Sequence, residues 1–400
     1  MDRPVAGSDP PKGKVTLAAV LRAGLPAFGR THRLTRYQWK ILRAIQHCRT
    51  VALGGHRYCC EACGQEHFVP HACRNRHCPL CQGAQARDWL ERQAAVLLPI
   101  PYFHVVFTLP HVLNPLIRQN QRELYNLLFA AASQTLLQFG QQTFQAQIGV
   151  TAVLHTWGQT LGEHYHLHCI VTGGGWASDG AGWVSSSPHY LFPVPALSKV
   201  FGGKFRAGLS ALQAQGKLEF HGQAAGLATP TGWAQLVQAV TTQKWVVYAK
   251  RPFAGPKQVL AYLSGYTHRV AISNHRLQAL DETTVTFGYK DYRDGSRRKS
   301  MTLALPEFVR RFCLHLLPKR FVKIRHYGLL GNRDRQARIA LVRQALAGAP
   351  TPTGKTPSGA EPATGSEARQ RCPHCGAMAL IWIAEVPTQI TRWTPILDTS

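Results

Sequence analysis

The sequence predicts an α+β protein in which a small zinc ribbon precedes a larger region of mixed strands and helices. Three observations predict it. Cys60/Cys63 and Cys78/Cys81 form two CxxC pairs with 14 residues between them. TAVLHTWGQ and HYHLHCIVTGGGW are strand-like runs separated by only a few residues, as in a hairpin. PLIRQNQRELYNLLFAAASQTLLQF reads as one or two helices. The 400 residues allow two or three domains of about 100–200 residues each, and 45% apolar against 16% charged residues excludes disorder throughout.

The elements follow in order. Residues 1–20, rich in Pro, Gly and Asp, predict a floppy tail. Thr35 can cap a helix whose face carries Tyr37, Ile41, Leu42 and Ile45. After the cysteine cluster, FHVVFTL predicts a strand, the long helical run follows, and the hairpin comes next. Residues 176–240 alternate between Gly/Ser loops and short helical pieces without a clear pattern. KQVLAYLSGYTHRV, preceded by Pro256, predicts a helix, and two short strands flank the turn DYRDGSRRK. A helix through PEFVRRFCLHLLP and the basic stretch KRFVKIRHYGLLGNRDRQAR complete the ordered part. Residues 347–371 are Pro/Gly/Thr/Ser-rich and predict a linker. A short tail, 372–400, holds one more CPHC. The expected division is therefore a tail (1–20), a zinc-binding DNA-binding domain (21–100), a catalytic domain (101–300), a basic helical part (301–346), the linker and the tail.

Charge narrows the partner. Lys and Arg number 46 against 20 Asp and Glu, a net +26 that suits a polyanion such as DNA. A membrane is not expected, because no stretch of about 18 uncharged apolar residues exists and MDRPVAGSDPPKGK lacks the apolar core of a signal peptide. The expectation is a soluble, cytoplasmic protein. Six of the 11 cysteines lie between Cys59 and Cys81, which in a reducing compartment points to metal.

Cys60, Cys63, Cys78 and Cys81 at this spacing predict a closed tetrahedral, structural zinc site with no open position for chemistry. Cys48, Cys59, Cys73, His56 and His77 remain over, which leaves room for a second ion or another choice of four. His166 and His168 are two apart on a strand, so both imidazoles reach one face. A turn near Leu161 and Gly162 would set His155 opposite His168 and make His155 and Gln159 candidate third ligands. Such a site, with open positions, suits Mg²⁺ or Mn²⁺ at a phosphate oxygen. Gly173, Gly174 and Gly175 could admit a nucleic-acid backbone or form an ordinary turn. Tyr262 and Tyr266, four apart, put two phenols on one helix face with Arg269 nearby, and a phenol can attack a phosphodiester. Arg320, Lys323, Arg325, Arg333 and Arg335 are dense enough to line a DNA path, or form a solvated face.

In order, RYCCEACG, CRNRHCPLCQ, HVVFTLPHVLNPL, LHTWGQTLGEHYHLHCIVTGGG, YLSGYTHRVAISNHRL and FVKIRHYGLLGNR resemble the IS91 family of bacterial two-tyrosine rolling-circle transposases, over about residues 30–345. That family lies in the HUH endonuclease superfamily, whose His-hydrophobic-His motif Leu167 completes here. The resemblance implies an HUH-type five-stranded antiparallel β-sheet flanked by helices, and an N-terminal zinc-binding domain. It implies metal on His166 and His168, and phosphotyrosine intermediates on Tyr262 and Tyr266. It does not choose between His155 and Gln159, and the tail after about Gly348 has no counterpart in it. The function implied is nicking and transfer of one DNA strand of the enzyme's own insertion sequence. Its partners would be single-stranded ends and target, with host replication and helicase factors, since no GxxxxGK[ST] is present; it would work in the bacterial cytoplasm at the nucleoid. The rivals are a plasmid replication initiator or relaxase of the same superfamily and a non-catalytic zinc-ribbon DNA-binding regulator.

Overall fold

The computed structural model describes residues 15–253, 258–259, 270–347 and 371–390. Tyr262, Tyr266 and Arg269, most of the helix expected after Pro256, and the greater part of the linker lie outside these residues.

The chain is ordered earlier than its composition predicts. A helix spans Leu17–Thr31, capped by Thr16, whose side chain accepts the Ala19 N–H. It buries Leu17, Val20, Leu21, Leu25 and Phe28, a stripe at helical spacing that a tail through residue 20 would have cut. The partner that rewards this stripe is distant in sequence: Phe308, Val309 and Phe312 of the helix Leu305–Leu314 share its core. The next helix, Arg36–Gln46, begins as expected at Thr35, with a reciprocal capping box to Gln38. Ile41, Leu42 and Ile45 join the same core, as do Val285 and Phe287. The latter come from a three-stranded antiparallel sheet formed far downstream.

Twelve strands are described, β1 (Gly55–Cys60), β2 (Glu66–Pro70), β3 (Tyr102–Thr108), β4 (Ala146–Trp157), β5 (Glu163–Ala177), β6 (Trp183–Ser185), β7 (Val246–Phe253), β8 (Leu277–Leu280), β9 (Thr284–Asp291), β10 (Arg297–Ala304), β11 (Ile324–Gly328) and β12 (Leu380–Val386). The central sheet is antiparallel with the order β11-β4-β5-β3-β7, and β6 pairs with the end of β5. Helices Gln121–Phe144 and Val194–Ala214 cover one face, where Leu154, Leu167, Cys169 and Val171 meet Leu128, Leu136, Phe201 and Phe205. β7, and the helices Val194–Ala214 and Pro230–Thr242 within the stretch that lacked a pattern, were not legible locally. The two other sheets have the orders β10-β9-β8 and β12-β1-β2.

The triple glycine is neither a turn nor an open approach. Gly173, Gly174 and Gly175 lie inside β5, and a Cβ at 174 would stand 2.2 Å from the Val184 carbonyl of β6. Gly174 has a φ of +129°, and at 175 a Cβ would meet the Gln147 backbone of β4 at 2.7 Å. Glycine is needed because three backbones converge there.

Candidate metal centres and catalytic site

On β5, His166, His168 and Ile170 point to the face opposite the large core. The turn between β4 and β5 runs through Gly158–Gly162, where Leu161 takes a φ of +61° and inserts, fully buried, into the N-terminal core. A register shift between His155 and Trp157 then sets His155 opposite His166 and Val153 opposite His168. The expected pairing of His155 with His168 is off by two residues, because the turn centres on residue 160 rather than on Leu161 and Gly162, and an extra β5 residue between Glu163 and His166 makes up only part of the difference. His155 still reaches the cluster. Ligand atoms of His155, His166 and His168 lie within 4.8 Å of one another.

Gln159, the other candidate third ligand, points elsewhere. Its side-chain oxygen accepts the Lys290 N–H at 3.4 Å and its carbonyl accepts from Arg276, both beside β9. The tight turn closed by the Gly158 N–H on the Gly162 carbonyl carries residue 159 off the strand's face, which strict alternation could not foresee.

The imidazoles are oriented from behind. His166 Nδ1 lies 2.8 Å from the His164 carbonyl, and His168 Nδ1 lies 2.9 Å from Nε2 of His104 on β3. With Nδ1–H donating in both, the two Nε2 lone pairs face each other at 3.1 Å. That spacing matches adjacent ligands about 3.0 Å apart around an ion bound at about 2.1 Å. Burial keeps these rings neutral: it pushes His168 down to about 3 and His104 to about 4, and holds His166 well below its ordinary value. His104 was absent from the sequence-based set. Its signal was weak, one histidine in the strand FHVVFTL, and only the β3–β5 pairing makes it a partner of His168.

Around this centre, Glu163 at the start of β5 is anchored by Arg118, whose Nε donates to it at 2.8 and 2.9 Å, and by the Tyr165 hydroxyl at 2.6 Å. Burial alone would raise its pKa; these bonds win and hold it below the ordinary carboxylate value. Along β7, Tyr248 and Lys250 pair with Val106 and His104 and are exposed on the histidine face. Lys250 is close enough to help depress both His104 and His168.

The basic residues expected to act together do not form one surface. Lys323 is only 8% exposed, and burial pulls its pKa down to about 7. Arg325 lies over Phe129 and Phe321 at 4.2 and 5.0 Å, on the far side of the sheet from the histidines, and donates to Asn126. Arg335 is half-buried and donates to Gln93. Arg320 and Arg333 remain exposed.

The cysteines divide differently from expectation. Cys48, Cys73, Cys78 and Cys81 form one tetrad, and Cys60, Cys63, Cys372 and Cys375 a second. The expected set, Cys60 and Cys63 with Cys78 and Cys81, does not share a site. The reason is the β1–β2 hairpin: Cys60 and Cys63 are at its tip, while Cys73 follows its other end, and a six-residue strand spans about 20 Å. Sγ separations of 3.5 Å (Cys48–Cys81) and 3.6 Å (Cys73–Cys81) match the about 3.8 Å between sulfurs of a tetrahedral zinc with 2.3 Å bonds. Hydrogen bonds from Cys73 and Cys78 pull the Cys48 thiol well below its ordinary value, while the same contacts push Cys73 up, so these thiols share protons as one cluster. Of the remaining residues, His77 is buried and its Nε2 accepts the Leu317 N–H at 3.0 Å. His56 Nδ1 accepts the Trp382 indole N–H at 3.4 Å, and the Cys59 thiol lies against nearby carbonyls.

The tail cysteines had a readable signal. CEACG at 60–64 and CPHCG at 372–376 share a glycine after the second cysteine, whereas CPLCQ at 78–82 does not.

Comparison with known proteins agrees with this architecture. A family model described as "Putative transposase" matches residues 149–338, and one described as "Transposase zinc-binding domain", of IS91 type, matches residues 20–109. "Putative transposase y4qJ" of Sinorhizobium fredii is 43% identical over 375 residues, 92% of this chain and 94% of that protein. The "Transposase for insertion sequence element IS801" of Pseudomonas savastanoi pv. phaseolicola is 30% identical over 312 residues, 77% of this chain and 74% of that protein. No solved structure matches the chain significantly. No helix among the described residues is long and apolar enough to cross a membrane. With a zinc-binding domain ahead of the histidine-bearing sheet, and these two relatives, the chain belongs to the IS91 family of transposases.

Proposed function

We propose that this transposase nicks and transfers one DNA strand of its own insertion sequence, using Tyr262 or Tyr266 as nucleophile beside a divalent ion held by His155, His166 and His168. The observation that carries this reading is the pair of Nε2 atoms 3.1 Å apart, each with its Nδ1 engaged behind it. A bound Mg²⁺ or Mn²⁺ would supply charge to a non-bridging phosphate oxygen. A tyrosine phenolate oxygen attacks phosphorus, the 3′-oxygen leaves as a hydroxyl once protonated, and a 5′-phosphotyrosine results. Attack by a 3′-hydroxyl on that linkage reverses the exchange, so no nucleotide hydrolysis is needed. Lys250 and exposed Tyr248 on the histidine face offer a charge for the phosphate and a ring for a base.

The tyrosines follow closely on a described position. Val259, three residues before Tyr262, is fully buried and lines a cavity of about 20 Å³ with Tyr102, Thr151 and Ile170, on the sheet face that carries the histidines. Single-stranded ends of the element are the substrate in this reading, and host factors in the bacterial nucleoid provide the unwinding.

The test is incubation with single-stranded DNA from the element's ends and Mn²⁺, scored as a protein–DNA band that survives SDS. Tyr262→Phe or Tyr266→Phe alone should leave an adduct in at least one variant, and the double change should leave none. An adduct in the double variant, or one mapped by mass spectrometry outside residues 257–269, overturns the assignment.

A further inference from the structure

We infer that Cys60, Cys63, Cys372 and Cys375 bind a second structural zinc, completing a zinc ribbon whose two halves come from opposite ends of the chain. The matched zinc-binding domain ends at residue 109, so half of the ligands lie outside it. Sγ atoms of Cys60 and Cys375 are 3.6 Å apart and those of Cys63 and Cys372 3.8 Å, far beyond the about 2.05 Å of a disulfide and near the edge of a tetrahedral zinc site.

Both halves are built as the same metal knuckle. In the first, the Gly64 N–H donates to the Cys60 carbonyl at 2.7 Å; in the second, the Gly376 N–H donates to the Cys372 carbonyl at 2.9 Å. The two glycines have φ of +67° and +75°, which a residue with a side chain adopts only under strain. The His374 N–H also points at Cys372 Sγ, 3.4 Å away, a bond that stabilises a thiolate.

The tail strand is fitted into the N-terminal domain. β12 pairs with β1 along its whole length, from Gly55 opposite Val386 to Cys60 opposite Leu380. Beyond it, the Gln389 N–H and the Thr388 hydroxyl both donate to the Ala52 carbonyl at 3.0 Å. Gly54, with φ +73°, has no room for a Cβ because the Val386 carbonyl would stand 2.3 Å away. Yet the core of this unit is small: Cys60, Cys372 and Leu380 are its buried members, with Tyr58 and Ala379 against them. So thin a core does not hold a three-stranded sheet in water without a staple, and the metal is the staple.

Two measurements test this on the full-length protein. Zinc content should fall by one equivalent per chain in Cys372→Ser/Cys375→Ser relative to the unsubstituted protein, and also by one in Cys48→Ser/Cys81→Ser. An unchanged content in the tail variant overturns the inference. The second needs no altered ligand: a protease site is inserted between residues 348 and 370 and cleaved. The C-terminal piece should then travel with the rest through gel filtration and be released only on adding a chelator. Release without chelator, or retention after all zinc has been removed, overturns it.

Discussion

His166 and His168 stand on the central strand of a sheet backed by the largest core of the molecule, whereas Cys60 and Cys372 stand in a unit whose buried core is three residues. Both are ligand clusters, but they relate to folding in opposite ways. The histidine face is positioned by pairing and packing that persist whatever binds there, so a ligand change should remove chemistry and spare the fold. The unit of Cys60 and Cys372 has little else to hold it, so a ligand change there should remove the fold locally. Covalent distance reinforces the contrast. The histidines meet across one tight hairpin, while the second cysteine tetrad closes a loop of more than 300 residues, a cost that its strand pairing and metal must offset.

Predictions that would break or sharpen this contrast run from the largest effect to the smallest. Cys60→Ser should remove zinc-binding free energy on the order of 10–16 kcal/mol from the unit formed by β1, β2 and β12. Solubility and DNA binding should fall together. Protein lacking that zinc with wild-type circular dichroism and unchanged DNA affinity would erase the distinction. His166→Ala or His168→Ala should lower strand cleavage by about 10²–10³-fold or more while leaving thermal stability and DNA affinity near wild type. A large drop in melting temperature would mean that the histidines serve the fold after all.

His104 tests a finer point of the same comparison. Because it contacts His168 and is not one of the three proposed ligands, His104→Ala should weaken metal affinity about 10–100-fold, read as a shift in the Mn²⁺ concentration for half-maximal cleavage. Cleavage at saturating Mn²⁺ should recover, and failure to recover would make His104 more than an orienting partner. The smallest effect is expected at the surface. Neutralising the exposed Arg320 and Arg333 should flatten the slope of log affinity against log salt by roughly 0.7 for each lost single-strand phosphate contact. The same change at Lys323 should act through stability instead, since that side chain is buried.

Much of this was legible. The capped helix from Thr35, strand β3, the β4–β5 hairpin, the turn between β9 and β10 and the helix at Leu305–Leu314 all follow from local periodicity and turn chemistry. The histidine motif was legible because two residues of one strand need only alternation to share a face. Other features failed locally for identifiable reasons. The helix at Leu17 looked like tail because its partner, the helix from Leu305, lies far along the chain. The triple glycine is explained by backbones from β4 and β6 that no local pattern announces.

The sequence by itself determined the ligand types and their pairing in twos: CxxC knuckles and a His-x-His strand, whose geometry is set by bonds and a few dihedral angles. Only the tertiary structure decided which pairs combine. Completing a metal site takes a third or fourth ligand from another segment, and that choice depends on a bulge at His155, on the length of the β1–β2 hairpin and on a tail strand docking against β1. These are packing outcomes, in which many weak contacts summed over distant residues outweigh spacing along the chain.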